Sequence, residues 1–312
     1  MVKVAFVFPG QGSQVVGMGH EFLADNESEN YYKQADQLLG FELSKLMLEG
    51  PKEDLTLTYH AQPALLTTGV MIADLLKKEG IHPSYTAGHS LGEYAALVTS
   101  DVMSFKDGVQ AVHKRGVYMN EAVPAGEGAM AAILGLDRSA LKEVTDEVSR
   151  NGELVQLANL NCPGQIVISG TAKGVEEASL KAKEAGAKRA IPLVVSGPFH
   201  SELMRPASGE LKEMLASIEM QDAKIPVIAN VTAQPVTKKQ DIQSLLVEQL
   251  YSPVLWEDSV RTLLEAGVDV FIECGPGKVL SGLIKKVDRK VKTYCVYDLA
   301  TLEQVVEAAK EW

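Results

Sequence analysis

The apolar positions of this chain follow a strand–helix rhythm that changes character in the middle and then returns. Residues 2–8 (VKVAFVF) are β-rich and mostly apolar and are closed by Pro9-Gly10-Gln11-Gly12, which predicts a buried strand and a turn. Helical spacing of apolar residues follows over 31–39 and 63–78. A short apolar run at 84–89 predicts a second strand, 93–99 the helix after it, and 104–122 a longer amphipathic helix. Strand–helix alternation of this kind is the pattern of a parallel α/β sheet.

After Pro124-Ala125-Gly126 the order of elements changes. Strands are predicted over 129–134, 154–159, 165–169 and 189–195, with helices over 138–150 and 175–185. That order, βαββαβ, is the ferredoxin-like arrangement. Beyond Gly197-Pro198 a helix is predicted over 202–217, a strand over 227–230, helices over 245–250 and 259–266, and a strand over 268–273. The expected fold is therefore α/β, a hydrolase-like parallel-sheet large domain (residues 1–125 and 196–312) interrupted by a ferredoxin-like small domain (126–195). Such an insertion leaves a cleft between two bodies, where ligand sites are favoured.

Composition narrows the function. A chain of 312 residues, 46% apolar and 23% charged, is ordinary for a globular protein with a sizeable core. A formal net charge of −11 argues against non-specific nucleic-acid binding, which needs basic surface. No apolar run approaches the roughly 18 residues of a membrane span, and the N-terminal run is too short for a signal peptide. Cys162, Cys274 and Cys295 are scattered without metal or disulfide spacing, as expected of inert thiols in a reducing cytoplasm. Asn26-Glu27-Ser28 and Asn230-Val231-Thr232 fit the glycosylation pattern but carry little weight in a chain without a secretion signal.

The chemistry concentrates in GHSLG at 88–92. Between a predicted strand and a predicted helix, Gly-x-Ser-x-Gly is a nucleophile elbow. Gly88 and Gly92 would let the chain turn sharply, Ser90 would be lifted out, and the Leu91 N–H would face an oxyanion. Serine needs a base within hydrogen-bond reach. Of six histidines, His89 should be turned away by the elbow and His113 lies mid-helix, while His200 stands where the inserted segment rejoins the main one. His200 is thus the leading base, set against an ordinary surface histidine; no Asp or Glu stands out as its orienter. Arg115 borders the apolar stripe of its helix and has two readings, an internal ion pair or a bidentate clamp for a substrate carboxylate. Gly10-Gln11-Gly12 begins like a dinucleotide fingerprint, but Val15 stands where its third glycine belongs.

FVFPGQGSQ at 6–14, YHAQPALL at 59–66, GHSLGEYAALV at 88–98, KRG at 114–116, NCPGQIVISG at 161–170, SGPFHSELM at 196–204, EQLYSPVLW at 248–256 and ECGPGKVL at 273–280 form a joint pattern. It resembles, nearly end to end, the malonyl-CoA:acyl carrier protein transacylases of bacterial type II fatty acid synthesis. The resemblance implies Ser90 as the acylated nucleophile, His200 as its base and Gln249 as orienter of His200 through its main-chain carbonyl. It implies Gln11 beside Leu91 at the oxyanion and Arg115 on the malonyl carboxylate. Phe199 would mark malonyl over branched acyl groups, and Asn161 would lie near the pantetheine arm.

No metal or bound cofactor is implied. The partners expected are malonyl-CoA and, transiently, an acidic acyl carrier protein; the chain itself is expected to act as a cytoplasmic monomer. Because the chain is itself acidic, docking would need a local basic patch, and Lys285 and Lys286, faced by Lys188 and Arg189, are candidates against a plain solvated helix surface. A serine thioesterase, in which water resolves the acyl-enzyme, uses the same motif. A carrier-binding scaffold with a vestigial serine is the non-catalytic alternative.

Overall fold

The computed structural model describes residues 2–312. Its strands are β1 (Val4–Phe8), β2 (Tyr85–Gly88), β3 (Gly128–Leu134), β4 (Val155–Cys162), β5 (Gln165–Thr171), β6 (Arg189–Pro192), β7 (Val227–Ile228), β8 (Pro235–Val236), β9 (Val270–Cys274) and β10 (Lys292–Val296). They form two sheets, ordered β10-β9-β1-β2-β7-β8 and β4-β5-β3-β6. In the first, β10, β9, β1, β2 and β7 run parallel and only the edge strand β8 is antiparallel. β1 and β9 are buried at every position, which is why their sequences are apolar runs and not alternations.

The second sheet is antiparallel throughout, and its elements follow the chain order strand, helix, strand, strand, helix, strand. The helices Arg138–Arg150 and Ala172–Glu184 bury Leu141, Val144, Val148, Val175, Ala178 and Ala182 against Ile133 and Ile168 of one face. From the same sheet Met130, Ala158 and Val167 enter the core of the larger unit. The two units are also joined through backbone. Leu160 N–H donates to Val254 O (2.9 Å) and Val254 N–H to Ala158 O (2.8 Å), so the segment that follows Gln249 is tied to β4.

Several elements differ from the sequence expectation, each for a local reason. The first long helix starts at Asn26, not 31, because Asp25 caps it by accepting the Ser28 N–H; the polar stretch carries no apolar rhythm. The helix expected from Pro63 is Thr58–Lys78, and Pro63 lies inside it. The proline lacks the N–H that would reach Tyr59 O, and His113 Nδ1 donates there at 2.8 Å instead. The helix expected over 202–217 is a 3-10 turn, Glu202–Ala207, that contains Pro206, followed by the helix Ser208–Ala216. β6 ends at Pro192, short of the expected 195, and Val194 is 98% exposed. Among the described residues no helix is long and apolar enough to cross a membrane.

Candidate active site

β2 carries the chain to Gly88, and the turn that follows places Ser90 at φ 54°, a left-handed conformation that costs a non-glycine residue about 1–3 kcal/mol. The flanking glycines are needed for close approach. A Cβ on Gly88 would lie 1.9 Å from the Gly92 carbonyl, and one on Gly92 would lie 2.2 Å from Phe8 O. The helix Gly92–Thr99 starts at once, and Ser90 N–H donates to Asn230 Oδ1 (2.7 Å) while Asn230 Nδ2 donates to Gly88 O (2.6 Å). One asparagine side chain thus pins both sides of the strained turn. Among the described residues the Leu91 N–H, which opens that helix, finds no acceptor, so it is free for an incoming oxyanion.

His200 is also held in a left-handed conformation, at φ 58°. Its Nε2 lies 2.8 Å from Ser90 Oγ, and its Nδ1 lies 2.8 Å from Gln249 O. A carbonyl oxygen can only accept, so Nδ1 carries the proton and Nε2 is left as acceptor for the serine hydroxyl. His200 is 3% exposed, and burial, aided by the Arg115 charge, pushes its pKa down to about 3. The imidazole is therefore neutral and ready to take a proton at ordinary pH.

Arg115 is fully buried. Its Nη1 donates to Gln62 Oε1 (2.8 Å), and its Nη2 donates to Gln249 Oε1 (2.9 Å) and to Ser90 Oγ (3.1 Å). The guanidinium lies over the Tyr94 ring, 5.6 Å from its centre. Of the two readings open in the sequence, the direct ion pair is not formed among the described residues. Neutral amide oxygens hold the group, and among the described residues its Nε has no partner. A buried cation held this way has charge to offer an anionic substrate.

Ser90, Leu91, His200, Arg115, Gln11 and Phe199 line one cavity of about 160 Å³, the volume of about five liquid waters. That is room for a short acyl group. Gln11 Nε2 donates to Thr58 Oγ1 (3.2 Å) at its rim. Asn161, expected near the pantetheine arm, is joined to the cavity wall through its Oδ1, which accepts from His89 Nε2 (2.8 Å), while Asn159 lines the cavity itself. His89 contributes to the wall, with its ring turned to Asn161 and not to Ser90 Oγ, as the elbow geometry predicts.

Lys285, expected as a docking cation, is half-buried, and its Nζ donates to Val291 O and to Arg289 O in its own turn. Lys286 remains exposed, donating to Gln165 Oε1 (3.0 Å) across the two units. Lys188 and Arg189 are exposed on the second sheet. The aliphatic stem of Lys188 covers Gly135, whose N–H donates to Gly164 O (2.8 Å), next to Gln165.

The sequence pattern does not point to Gln62, Glu93 or Asn230. Glu93 carries a usable signal, since it is an acid inside the apolar run LGEYAALV. It is 2% exposed, and burial raises its pKa to about 7 against the lowering effects of the Asn230 N–H, Gln249 and Arg115.

The acyl transferase domain family matches residues 5–304. A malonyl CoA-acyl carrier protein transacylase of Bacillus subtilis (strain 168) is 61% identical over 312 residues, covering 100% of this chain and 98% of that protein. The transacylase of Staphylococcus aureus (strain MW2) is 45% identical over 306 residues, covering 98% of each. An acyl carrier protein S-malonyltransferase structure from Vibrio cholerae superposes with a TM-score of 0.95 at 44% identity, over 97% of this chain and 99% of that one. A malonyl-transacylase in complex with its type II PKS acyl-carrier protein superposes equally well, with a TM-score of 0.95 at 42% identity, over 98% and 99% of the two chains.

Proposed function

Since the chain belongs to the acyl transferase domain family, we infer that its cleft houses a serine acyltransferase site that loads malonyl groups onto a carrier protein for fatty acid biosynthesis. The reaction moves malonyl from malonyl-CoA to the phosphopantetheine thiol of acyl carrier protein. The observation that carries the assignment of residues is the position of Ser90 Oγ, which lies 2.8 Å from the imidazole acceptor and 3.1 Å from a buried guanidinium.

In this reading Ser90 Oγ attacks the thioester carbon as its proton passes to His200 Nε2. The oxyanion rests on the Leu91 N–H with Gln11 beside it, and the malonyl carboxylate takes the Arg115 Nη2 donor now turned to Ser90 Oγ. The C–S bond breaks and coenzyme A leaves with the proton from His200. A carrier thiol then repeats the steps in reverse, which is ping-pong transfer. No metal or cofactor takes part in this scheme. Phe199, 6% exposed, lines the cavity and would favour malonyl over branched acyl groups.

The framework follows the same reading. A hydrolase-like large domain of residues 1–125 and 196–312 supplies Ser90, Arg115, His200 and Gln249, and a ferredoxin-like insertion at 126–195 supplies the opposite wall. Lys286, Lys188 and Arg189 form the carrier-facing edge. Gln165, bonded to Lys286, stands four residues from Asn161, which touches His89 of the cavity wall. The enzyme acts as a cytoplasmic monomer that meets its carrier transiently.

Malonyl-enzyme freed of excess malonyl-CoA tests transfer against hydrolysis. Holo carrier protein is expected to discharge it at least about a hundredfold faster than buffer, as a barrier difference of about 2.7 kcal/mol would give. Equal discharge by water would make the protein a thioesterase.

A further inference from the structure

The reaction scheme leaves unused a buried carboxyl group next to the nucleophile. Glu93 sits three residues after the nucleophile, yet it touches neither Ser90 Oγ nor His200 nor the Arg115 guanidinium directly. Its Oε2 accepts from Gln249 Nε2 (2.7 Å) and from the Asn230 N–H (3.1 Å). Each of those residues acts on the site. Gln249 holds Arg115 with its amide oxygen and His200 with its main-chain carbonyl, and Asn230 pins the backbone of the serine turn.

The amide of Gln249 has one correct orientation here. On one side its Nε2 faces three acceptors: Glu93 Oε2 (2.7 Å), Ser90 O (3.0 Å) and Asn230 Oδ1 (3.3 Å). On the other side stands Arg115 Nη2, which can only donate. A flip would set nitrogen against the guanidinium and oxygen against the carboxylate. Above about pH 7, where it ionises, Glu93 is the only charged acceptor in this arrangement, and hydrogen bonds to an ionised group are about twice as strong as neutral ones. Glu93 also supplies negative charge to a guanidinium that has no direct ion pair, with one amide between them.

We propose that Glu93 is a positioning residue for substrate selection: its carboxylate fixes the Gln249 amide so that Arg115 is presented to an acyl group bearing a carboxylate. Selectivity for malonyl over acetyl then depends on a side chain that never meets the substrate. The proposal rests on the reading of Ser90 and Arg115 given above.

The test is self-acylation of wild type, Glu93→Gln and Glu93→Asp by malonyl-CoA and by acetyl-CoA, read as intact-protein mass against time, with thermal melting measured alongside. Glu93→Gln keeps the size and removes the charge. It is expected to lower the malonyl rate about tenfold and the acetyl rate no more than about threefold, so the malonyl-to-acetyl ratio falls; Glu93→Asp, which retracts the charge, should lower the ratio by less. A ratio within twofold of wild type in both variants, whether or not the melting temperature falls, would overturn the proposal and leave Glu93 a purely structural residue. Should Glu93→Gln not fold, the Glu93→Asp ratio decides alone. Failure of the wild type to form any malonyl adduct would instead remove the underlying reading.

Discussion

Two glycine-framed turns leave the same edge of the parallel sheet on either side of β1, one after β2 and one after β9. Both run from a buried strand straight into a helix, Gly92–Thr99 in the first case and Val279–Val287 in the second. In the second turn the helix N-terminus is closed by the chain itself, since Glu273 Oε1 accepts from Leu280 N–H (3.0 Å) and Oε2 from Ser281 N–H (2.8 Å). In the first, the Leu91 N–H is left open beside Ser90 Oγ, and the nearest acid, Glu93, is directed at Gln249 and Asn230. A helix N-terminus stabilises negative charge from whatever source. Filled by its own carboxylate it is a structural joint, and left open beside a nucleophile it is a reaction site. Glycines alone do not distinguish the two.

Arg115→Ala would break the comparison most severely on the open side. Loss of one partner of a buried charge pair costs about 2–5 kcal/mol, so kcat/KM for malonyl-CoA should fall at least about thirtyfold. Acetyl-CoA has no carboxylate and should lose far less. Equal losses for the two thioesters, measured by steady-state transfer to the carrier, would remove the clamp.

The next effect is in pH. A histidine of ordinary pKa 6.5 is only about 3% neutral at pH 5, which would cut a base-dependent rate about thirtyfold. With the His200 pKa pushed down to about 3, the imidazole stays neutral at pH 5 and protonates only as pH falls toward 3. Read with acetyl-CoA, whose use does not depend on the Glu93 charge, the acid limb of kcat/KM should thus lie well below 6.5, with pH 5 costing no more than about threefold. A limb at 6.5 would show that Arg115 and burial do not act on His200 as described.

The smallest effect on rate belongs to the sealed turn. Glu273→Gln removes one of two carboxylate–amide bonds and should cost about 1–2 kcal/mol of stability in denaturant titration. Malonylation of Ser90 should stay within about twofold. A large loss of rate without loss of stability would mean that the β9 turn also takes part in the chemistry.

These contrasts show what the sequence carries. The strand–turn–helix order around GHSLG and the inward-bordering Arg115 are local patterns, so both could be read directly, and so could the succession of elements on either side of 126–195. What holds the site together was not legible. Glu93 and Gln249 are 156 positions apart and Ser90 and Asn230 are 140 apart, and no periodicity links residues across such distances. Asn230 sat inside a glycosylation-like triplet that drew its meaning elsewhere. Lys285 looked like any basic residue of a basic helix, and only the fold shows that its amine closes its own turn. Local chemistry selects the reacting groups, and long-range hydrogen bonding decides how they are held.

The most direct test of the open turn is intact-protein mass spectrometry after brief mixing with malonyl-CoA, for wild type and Ser90→Ala, followed by peptide mapping. One malonyl group should appear on the wild-type peptide that contains Ser90, and none on the folded Ser90→Ala protein. An adduct of equal extent in Ser90→Ala, or none in folded wild type, would contradict the assignment of Ser90 as the nucleophile.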